Sequence, residues 1–578
     1  MCVSELCVYV YACVRVCVHE CVGRFECVCV CVCVPELSER VQAAVCLRYL
    51  VYDHEKRGAW RSIEGVVAEM LPLTMEELFG LMDQVGSDEL VTTLDVLISS
   101  FAARILPYAQ GLCLRLSETF IRFACSEDPD TDSSLAASQA MAAISTLLDA
   151  MQDSNGGAEL FSCVEASLIP LLLQCLTPDP SGEYPYTEFI EDVLEIVTRL
   201  TFYSPTISEG MWSLYQPLAK CFTDWAIDYL CEFQLALSNY IARGAAAFVS
   251  VPDRPQAMFR MVQRVLEHSD SQDKDVSEVC LLAQSMLLYC KSAPLMEEYL
   301  EPFITLVVQR LHRYPPKREN ARSELIKVVA ACLHVNPVRT LAAIERHSST
   351  QMVFQTWLES IVVLGERDTP RGKETTRTHF RKLNDKKLCI IGLTSILHTP
   401  ISELPASIQA GLGHLLAALI TLFFDMDVLR RRRLAAVNTE AVQPEDEVRD
   451  NAVSEVNDDE DYDPRLGKGT LDGILAHLQD HAAANNLSWD DDEEDEDDEE
   501  NEQPSPFDSI DEVLFFADAW NGIQHGNDNP AALDHILKAL DAGQRGFMDS
   551  ILASVPQRQA MRQQFLSGAA SVLVGGAS

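Results

Sequence analysis

Eleven consecutive carboxylates run through the C-terminal part of this 578-residue chain. They are Asp490, Asp491, Asp492, Glu493, Glu494, Asp495, Glu496, Asp497, Asp498, Glu499 and Glu500, and Trp489 stands directly before them. General acid–base chemistry needs carboxyl groups held in a fixed geometry. A run of like charges repels itself, stays extended and holds no such geometry. What it can do is attract cations. With a screening length of about 8 Å in physiological salt, neighbouring charges sum into one field. That field raises the encounter rate with Lys- and Arg-rich proteins and holds them loosely. Trp489 to Glu500 is therefore the candidate binding site for a basic partner. Its internal position and its embedded tryptophan argue against a purely solubilising tail.

Other residue types capable of chemistry lack the spacing for it. The chain has no G-x-S-x-G elbow, no P-loop, no H-E-x-x-H and no G-x-G-x-x-G. His334, His398 and His414 each sit among apolar residues and read as core or surface positions. Of the 20 cysteines, nine fall in the first 33 residues. The other eleven are scattered singly, as at Cys113, Cys175, Cys280 and Cys389, and none forms a C-x-x-C pair. They read as buried core thiols in a reducing compartment. No catalytic, cofactor-binding or metal-ligating residue is assigned, no cofactor is expected, and the chain reads as a binding protein rather than an enzyme.

The formal net charge is −42, which excludes direct nucleic-acid binding and anionic membranes as partners of the whole chain. It is unevenly spread. Between Glu440 and Glu502, 25 acidic residues stand against three basic ones, Arg449, Arg465 and Lys468. The stretch 404–424 carries no formal charge but contains Pro405, Gln409, Gly411, Gly413 and His414. It reads as a turn and a buried helix, and no membrane insertion is expected.

The elements that must position the acidic site are helices. Leu94, Leu97, Ile98 and Phe101 follow i, i+3, i+4, i+7 spacing, as do Val193, Ile196, Val197 and Leu200. Phe303, Leu306, Val307, Val308 and Leu311 form a similar stripe. Prolines at 170, 217, 255 and 302 predict helix openings at intervals of 47, 38 and 47 residues. A helix pair recurring at about 40 to 47 residues is the HEAT or armadillo period. One pair cannot bury both faces alone, so stacked pairs share a continuous core. The predicted fold class is all-α, a HEAT-repeat α-solenoid with a long disordered acidic loop.

Residues 1–34 stand apart. Cys27 to Val34 alternates Cys and Val, the composition of a TG dinucleotide repeat translated in one frame. Charges at Glu5, Arg15, Glu20, Arg24 and Glu26 exclude a secretory signal, and C-x-C alternation does not suit a metal knuckle. The segment reads as artefactual and outside the fold. The predicted organisation is then 35–433 as HEAT-type helical repeats, 434–506 as the acidic disordered loop and 507–578 as C-terminal helices. Polar breaks fall at 126–134, at 177–185 and at 366–387, the last with seven Lys or Arg from Arg371 to Lys387. Arg430 to Arg433 reads as a helix C-terminal cap, where cations meet the dipole. It also stands ready to mask the acidic loop until a basic ligand competes, and a loop tied at both ends can lie across a solenoid's inner surface. A nuclear localisation signal is a second reading of the four arginines.

Several stretches resemble the importin-β superfamily, within it the importin-7/importin-8 group. They are SDELVTTLDVLISSFAARILPYAQGLCLRLSETF (87–120), MWSLYQPLAKCF (211–222), CKSAPLMEEYLEPFITLVVQRL (290–311) and DKKLCIIGLTSIL (385–397). The acidic segment with its tryptophan (488–500) and SIDEVLFF (509–516) follow in the same order. The resemblance covers roughly 41–559. It implies a karyopherin that carries basic cargo, such as ribosomal proteins and histones, between cytoplasm and nucleus through nuclear pores. Release on binding Ran GTPase, contact with nucleoporins and importin-β as a further partner are also implied. The family's Ran-binding N-terminal repeats should precede the matching region, so the chain resembles the C-terminal half of such a receptor. Two other readings stay open: a HEAT-repeat scaffold for another complex, and an acidic chaperone for basic proteins without transport activity.

Overall fold

A computed structural model describes residues 64–440 and 505–575, with five more residues between 37 and 45. Short connecting stretches at 83, 86–87, 126–130, 154–157, 362–364, 370–371, 377–378 and 527–529 lie outside that description. So do the Cys-Val segment and the candidate site from Trp489 to Glu500. The chain divides into two compact units, one of residues 1–357 with 402–408 and one of residues 358–401 with 409–578.

The N-terminal unit is an array of helices. In chain order they are α1 (Glu64–Met82), α2 (Asp88–Ser100), α3 (Ala102–Ile105), α4 (Ala109–Ala124), α5 (Thr131–Asp153), α6 (Ala158–Leu176), α7 (Ile190–Tyr203) and α8 (Glu209–Asp224). Then come α9 (Leu230–Ser250), α10 (Asp253–Glu267), α11 (Asp273–Tyr289), α12 (Met296–Arg313), α13 (Glu319–Val335) and α14 (Pro337–Arg346). They form two layers. In the first, α2, α5, α7, α9, α11 and α13 each pack on the next of the series; in the second, α4, α6, α8, α10, α12 and α14 do the same. Second-layer helices start at Ala109, Ala158, Glu209, Asp253, Met296 and Pro337, successive starts 41 to 51 residues apart. This is the solenoid arrangement, in which each pair buries what its neighbours leave open. The predicted stripes face the shared core: Leu94, Leu97, Ile98, Val193, Ile196, Val197, Leu200, Phe303 and Val307 are fully buried.

The prolines mark the repeat differently from the expectation. Pro170, Pro217 and Pro302 lie inside α6, α8 and α12 rather than opening them; only Pro255 sits in a first turn. The residues before each proline carry the explanation. Val164 and Leu168, Met211 and Trp212, and Leu300 are buried, so packing holds the preceding turn helical although proline removes a hydrogen bond there. All these prolines belong to the second layer; α5, α7, α9, α11 and α13 contain none.

Two further features shape the unit. At Gly244, α9 kinks (φ −135°, ψ 28°), and a Cβ there would meet Trp212 Cζ2 at 2.6 Å. Only glycine lets the indole approach this closely. In α13, every residue from Ser323 to His334 is buried, including Glu324 and Lys327. Lys327 Nζ lies 2.5 Å from Glu324 Oε1, and Gln284 Nε2 of α11 donates to Glu324 Oε2 at 2.8 Å. A helix enclosed all round must satisfy its polar groups internally.

Helix α15 (Thr350–Ile361) carries the chain across the division between units. In the C-terminal unit a two-stranded hairpin follows, β1 (Gly365–Thr369) antiparallel to β2 (Gly372–Thr376), in register from Gly365↔Thr376 to Thr369↔Gly372. It departs from the all-helical expectation in the polar stretch 366–387. Gly365, Pro370 and Gly372 break a helix, and the threonines favour extended backbone. Then come α16 (Leu383–Leu397), α17 (Ala406–Glu440), α18 (Glu512–Gly526), α19 (Pro530–Lys538) and α20 (Ala542–Gly575). Phe423 of α17 packs on Phe516 of α18 at 5.5 Å, and Phe424 on Phe547 of α20 at 5.3 Å between ring centroids.

Two described helices, Glu159–Leu176 and Ala406–Arg431, are long and apolar enough to cross a membrane by length and composition. Both pack within helix layers here: α6 against α4 and α8, and α17 through its two phenylalanines. The cysteines are partly as expected. Cys113, Cys175, Cys221, Cys280, Cys290, Cys332 and Cys389 are buried. Cys125 and Cys163 are exposed and Cys231 is half-buried, which corrects the reading of uniformly buried thiols. Isolated cysteines in apolar runs carry no sign of which helix face they take.

Candidate functional site

The structure describes both flanks of the acidic segment, and both belong to the C-terminal unit. On the upstream side, α17 runs through Arg430–Arg433 to Glu440. The arginines therefore do not cap a helix end. Leu434, Ala435 and Ala436 are strong helix formers, and no glycine or proline intervenes before Pro444. Arg430 turns instead to α18: its Nη1 donates to Glu512 Oε1 at 2.8 Å. Arg431 pairs with Asp427 one turn back, at 2.6 Å.

On the downstream side, a tight turn leads into α18. Asp508 Oδ2 accepts from Ser505 N at 2.6 Å, and Asp511 Oδ1 accepts from Val513 N and Leu514 N at 3.0 Å each. Asp511 thus caps the helix, satisfying amides that have no intrahelical partner. Arg558 Nη1 of α20 donates to Asp511 Oδ2 at 3.0 Å. Glu512, in the first turn, is only 3% exposed. It lies at the positive end of the helix dipole and between two cations, Arg430 and Lys387, the latter at 4.0 Å. Lys387 Nζ also donates to the Asp508 carbonyl at 3.3 Å. Burial lowers the Lys387 ammonium below its usual range, opposed by the carboxylates of Glu512 and Asp508. Together these contacts clasp α17 to the start of α18. Residues 441–504, with the acidic run, lie between these two helices in the sequence.

The described residues offer little chemistry beyond charge. No group of three or more His, Cys, Asp or Glu is placed to hold a metal among them. His334 Nε2 lies 2.9 Å from Lys291 Nζ, the His398 ring packs on Phe515 at 4.5 Å between centroids, and His414 is exposed on α17.

A second acidic patch lies on the first layer of the N-terminal unit. Asp192 of α7 accepts from Ser138 of α5 at 2.9 Å, and Arg199 bridges Asp149 at 2.8 Å and Glu195 at 2.6 Å. Burial raises the Asp192 carboxyl to about 6; the Ser138 hydrogen bond opposes the rise, and Glu195 and Glu191 add to it. Between about pH 4 and 6 the folded chain keeps a proton that the unfolded chain has released. The stability from this residue is thus present at acidic pH and lost as pH rises through 6. Asp192→Asn keeps an acceptor for Ser138 and removes the ionisation. It is expected to raise the unfolding free energy at pH 7.5 by about 1–2 kcal/mol and to change little at pH 4. Melting the variant and its parent at both pH values tests this, and an equal difference at both would reject the ionisation as cause.

No family model matches the chain. Among curated proteins it is similar to an importin beta-like SAD2 homolog of Arabidopsis thaliana, 28% identical over 534 residues, covering 91% of this chain and 49% of that protein. A probable importin-7 homolog of Dictyostelium discoideum is 24% identical over 441 residues, covering 74% of this chain and 38% of its own length. Importin-8 of Danio rerio is 24% identical over 400 residues, covering 68% and 36%. Among solved structures, the exportin Cse1 in its cargo-free, cytoplasmic state superposes with a TM-score of 0.50 at 15% identity, covering 91% of this chain and 46% of that one. That match speaks for the solenoid fold. The chain spans about half the length, or less, of the curated relatives it matches.

Proposed function

The chain belongs to the importin-β superfamily, and on that premise we propose that it forms the cargo-side part of a nuclear transport receptor of the importin-7/importin-8 kind. In this reading the receptor takes basic proteins, such as ribosomal proteins or histones, from cytoplasm to nucleus. The acidic residues from Asp490 to Glu500, with Trp489, are the cargo contact. Ran-dependent release and passage along nucleoporins are functions of the whole receptor, and importin-β is a further partner. The observation that carries the reading is the likeness to importins along 91% of the chain. The clasp of Arg430, Lys387 and Glu512 supports it, because it joins the helices that precede and follow the acidic segment in the chain.

The test is binding of a core histone to the intact chain and to a chain lacking residues 490–500. Charge attraction predicts a loss of affinity of about ten-fold or more at 50 mM salt, with a shallower dependence on salt concentration. Equal affinity at low salt would remove the run from cargo binding. At the level of the receptor, a chain completed with an importin-type N-terminal region should be captured by Ran loaded with a non-hydrolysable GTP analogue. Failure of that capture would turn the reading towards an acidic chaperone.

A further inference from the structure

The Pro- and Gly-rich break at 177–185 is a built corner on the N-terminal unit. Asp179 Oδ1 accepts from Ser181 N (2.8 Å), Ser181 Oγ (2.6 Å) and Glu183 N (3.0 Å). The backbone closes on itself through Asp179 N to Glu183 O (2.8 Å) and Gly182 N to Asp179 O (2.9 Å). Gly182 takes φ +92°, a conformation that side chains rarely adopt. Pro178, Pro180 and Pro185 restrict the remaining backbone. The loop is thus ordered before any ligand arrives.

What it presents is Tyr184. The Tyr184 hydroxyl donates to Asp224 Oδ2 at 2.9 Å. Its ring stands 5.8 Å from Trp225, inclined by 53°, and Trp225 stands 6.1 Å from Tyr229 at 74°. All three rings are half-exposed, while Asp224, Glu183 and Asp228 are exposed around them. Asp224 is the last residue of α8. A carboxylate there meets the negative end of the helix dipole, so the position costs stability. Lys220, one turn earlier, makes no ion pair with Asp224 among the described residues, and Asp224 Oδ1 accepts no hydrogen bond among them.

We propose that this corner docks an arginine side chain from an extended basic segment of the cargo. The proposal rests on the reading of a basic cargo and names a second contact for it. A guanidinium forks onto a carboxylate and lies flat on an aromatic face, which an ammonium does less well. Asp224 supplies the carboxylate and Tyr184, Trp225 and Tyr229 the rings. Glu183 and Asp228 draw neighbouring cations. A charge run attracts any cation, whereas this corner selects arginine.

The experiment measures fluorescence anisotropy of a labelled Arg/Gly decapeptide and its Lys/Gly counterpart. The protein is the chain lacking residues 490–500, so that the acidic run contributes nothing. The Arg peptide should bind about five-fold or more tighter than the Lys peptide. Asp224→Asn with Tyr184→Leu should weaken it about ten-fold and erase the preference. Tyr184→Phe, which keeps the ring, should retain the preference, and melting curves should show all variants folded. If the double variant does not fold, Asp224→Asn alone carries the test. Equal binding of the two peptides, or unchanged binding by the variants, overturns the proposal. Should the intact chain fail to bind a histone while the corner still selects arginine, the cargo reading falls and the corner stands.

Discussion

Glu324→Ala is expected to lower the stability of the N-terminal unit by about 3 kcal/mol or more, the cost of leaving a buried cation without its carboxylate. Lys327 is 4% exposed and Glu324 6%, and the pair sits on a helix enclosed on every side. Water cannot take over the lost interaction there. Desolvating both ions costs as much as their attraction returns, so the pair itself adds little net stability. Replacing these three polar groups together, Glu324→Leu with Lys327→Met and Gln284→Leu, should therefore recover most of the loss. Urea melts followed by circular dichroism decide it. A single variant that loses under about 1 kcal/mol, or a triple variant as weak as the single, would show that the pair is solvated.

The second large effect concerns the clasp. Glu512→Ala should cost about 2–4 kcal/mol in the C-terminal unit, because it takes the carboxylate from the largely buried Lys387, breaks the Arg430 contact and removes an acid from the positive end of α18. Arg431→Ala is the internal control. Its pair with Asp427 joins side chains 76% and 39% exposed and should be worth no more than about 0.5 kcal/mol. Hydrogen exchange of α18 and the end of α17 reads both. Equal protection in the two variants would mean that Glu512 clasps nothing.

Much of this architecture is legible in the chain. The stripes at Leu94–Phe101 and Val193–Leu200 predict buried faces because helical periodicity reports burial directly. The repeat is legible too, though through a coincidence of cause: the prolines recur because one layer tolerates them, not because they open helices. The acidic run is legible from composition alone. What sequence cannot show is contact between distant residues. Arg430 and Glu512 lie 82 positions apart, and Tyr184 and Asp224 lie 40 apart. Nor does periodicity reveal α13 as an enclosed helix, since Ser323, Glu324 and Lys327 read as a polar face until the neighbours are in place.

The distribution of prolines has a mechanical side. Inside α6, α8 and α12, each proline leaves the carbonyl four residues before it, at Ala166, Ser213 and Glu298, without its intrahelical donor. First-layer helices α5, α7, α9, α11 and α13 have no such gaps. A stack whose two sides differ in this way resembles a laminate of a stiff sheet bonded to a hinged one. Strain applied to it concentrates at the three proline breaks, and the first layer, bent at Gly244 of α9, sets its length. The array can then yield at α6, at α8 one repeat on, and at α12 two repeats further.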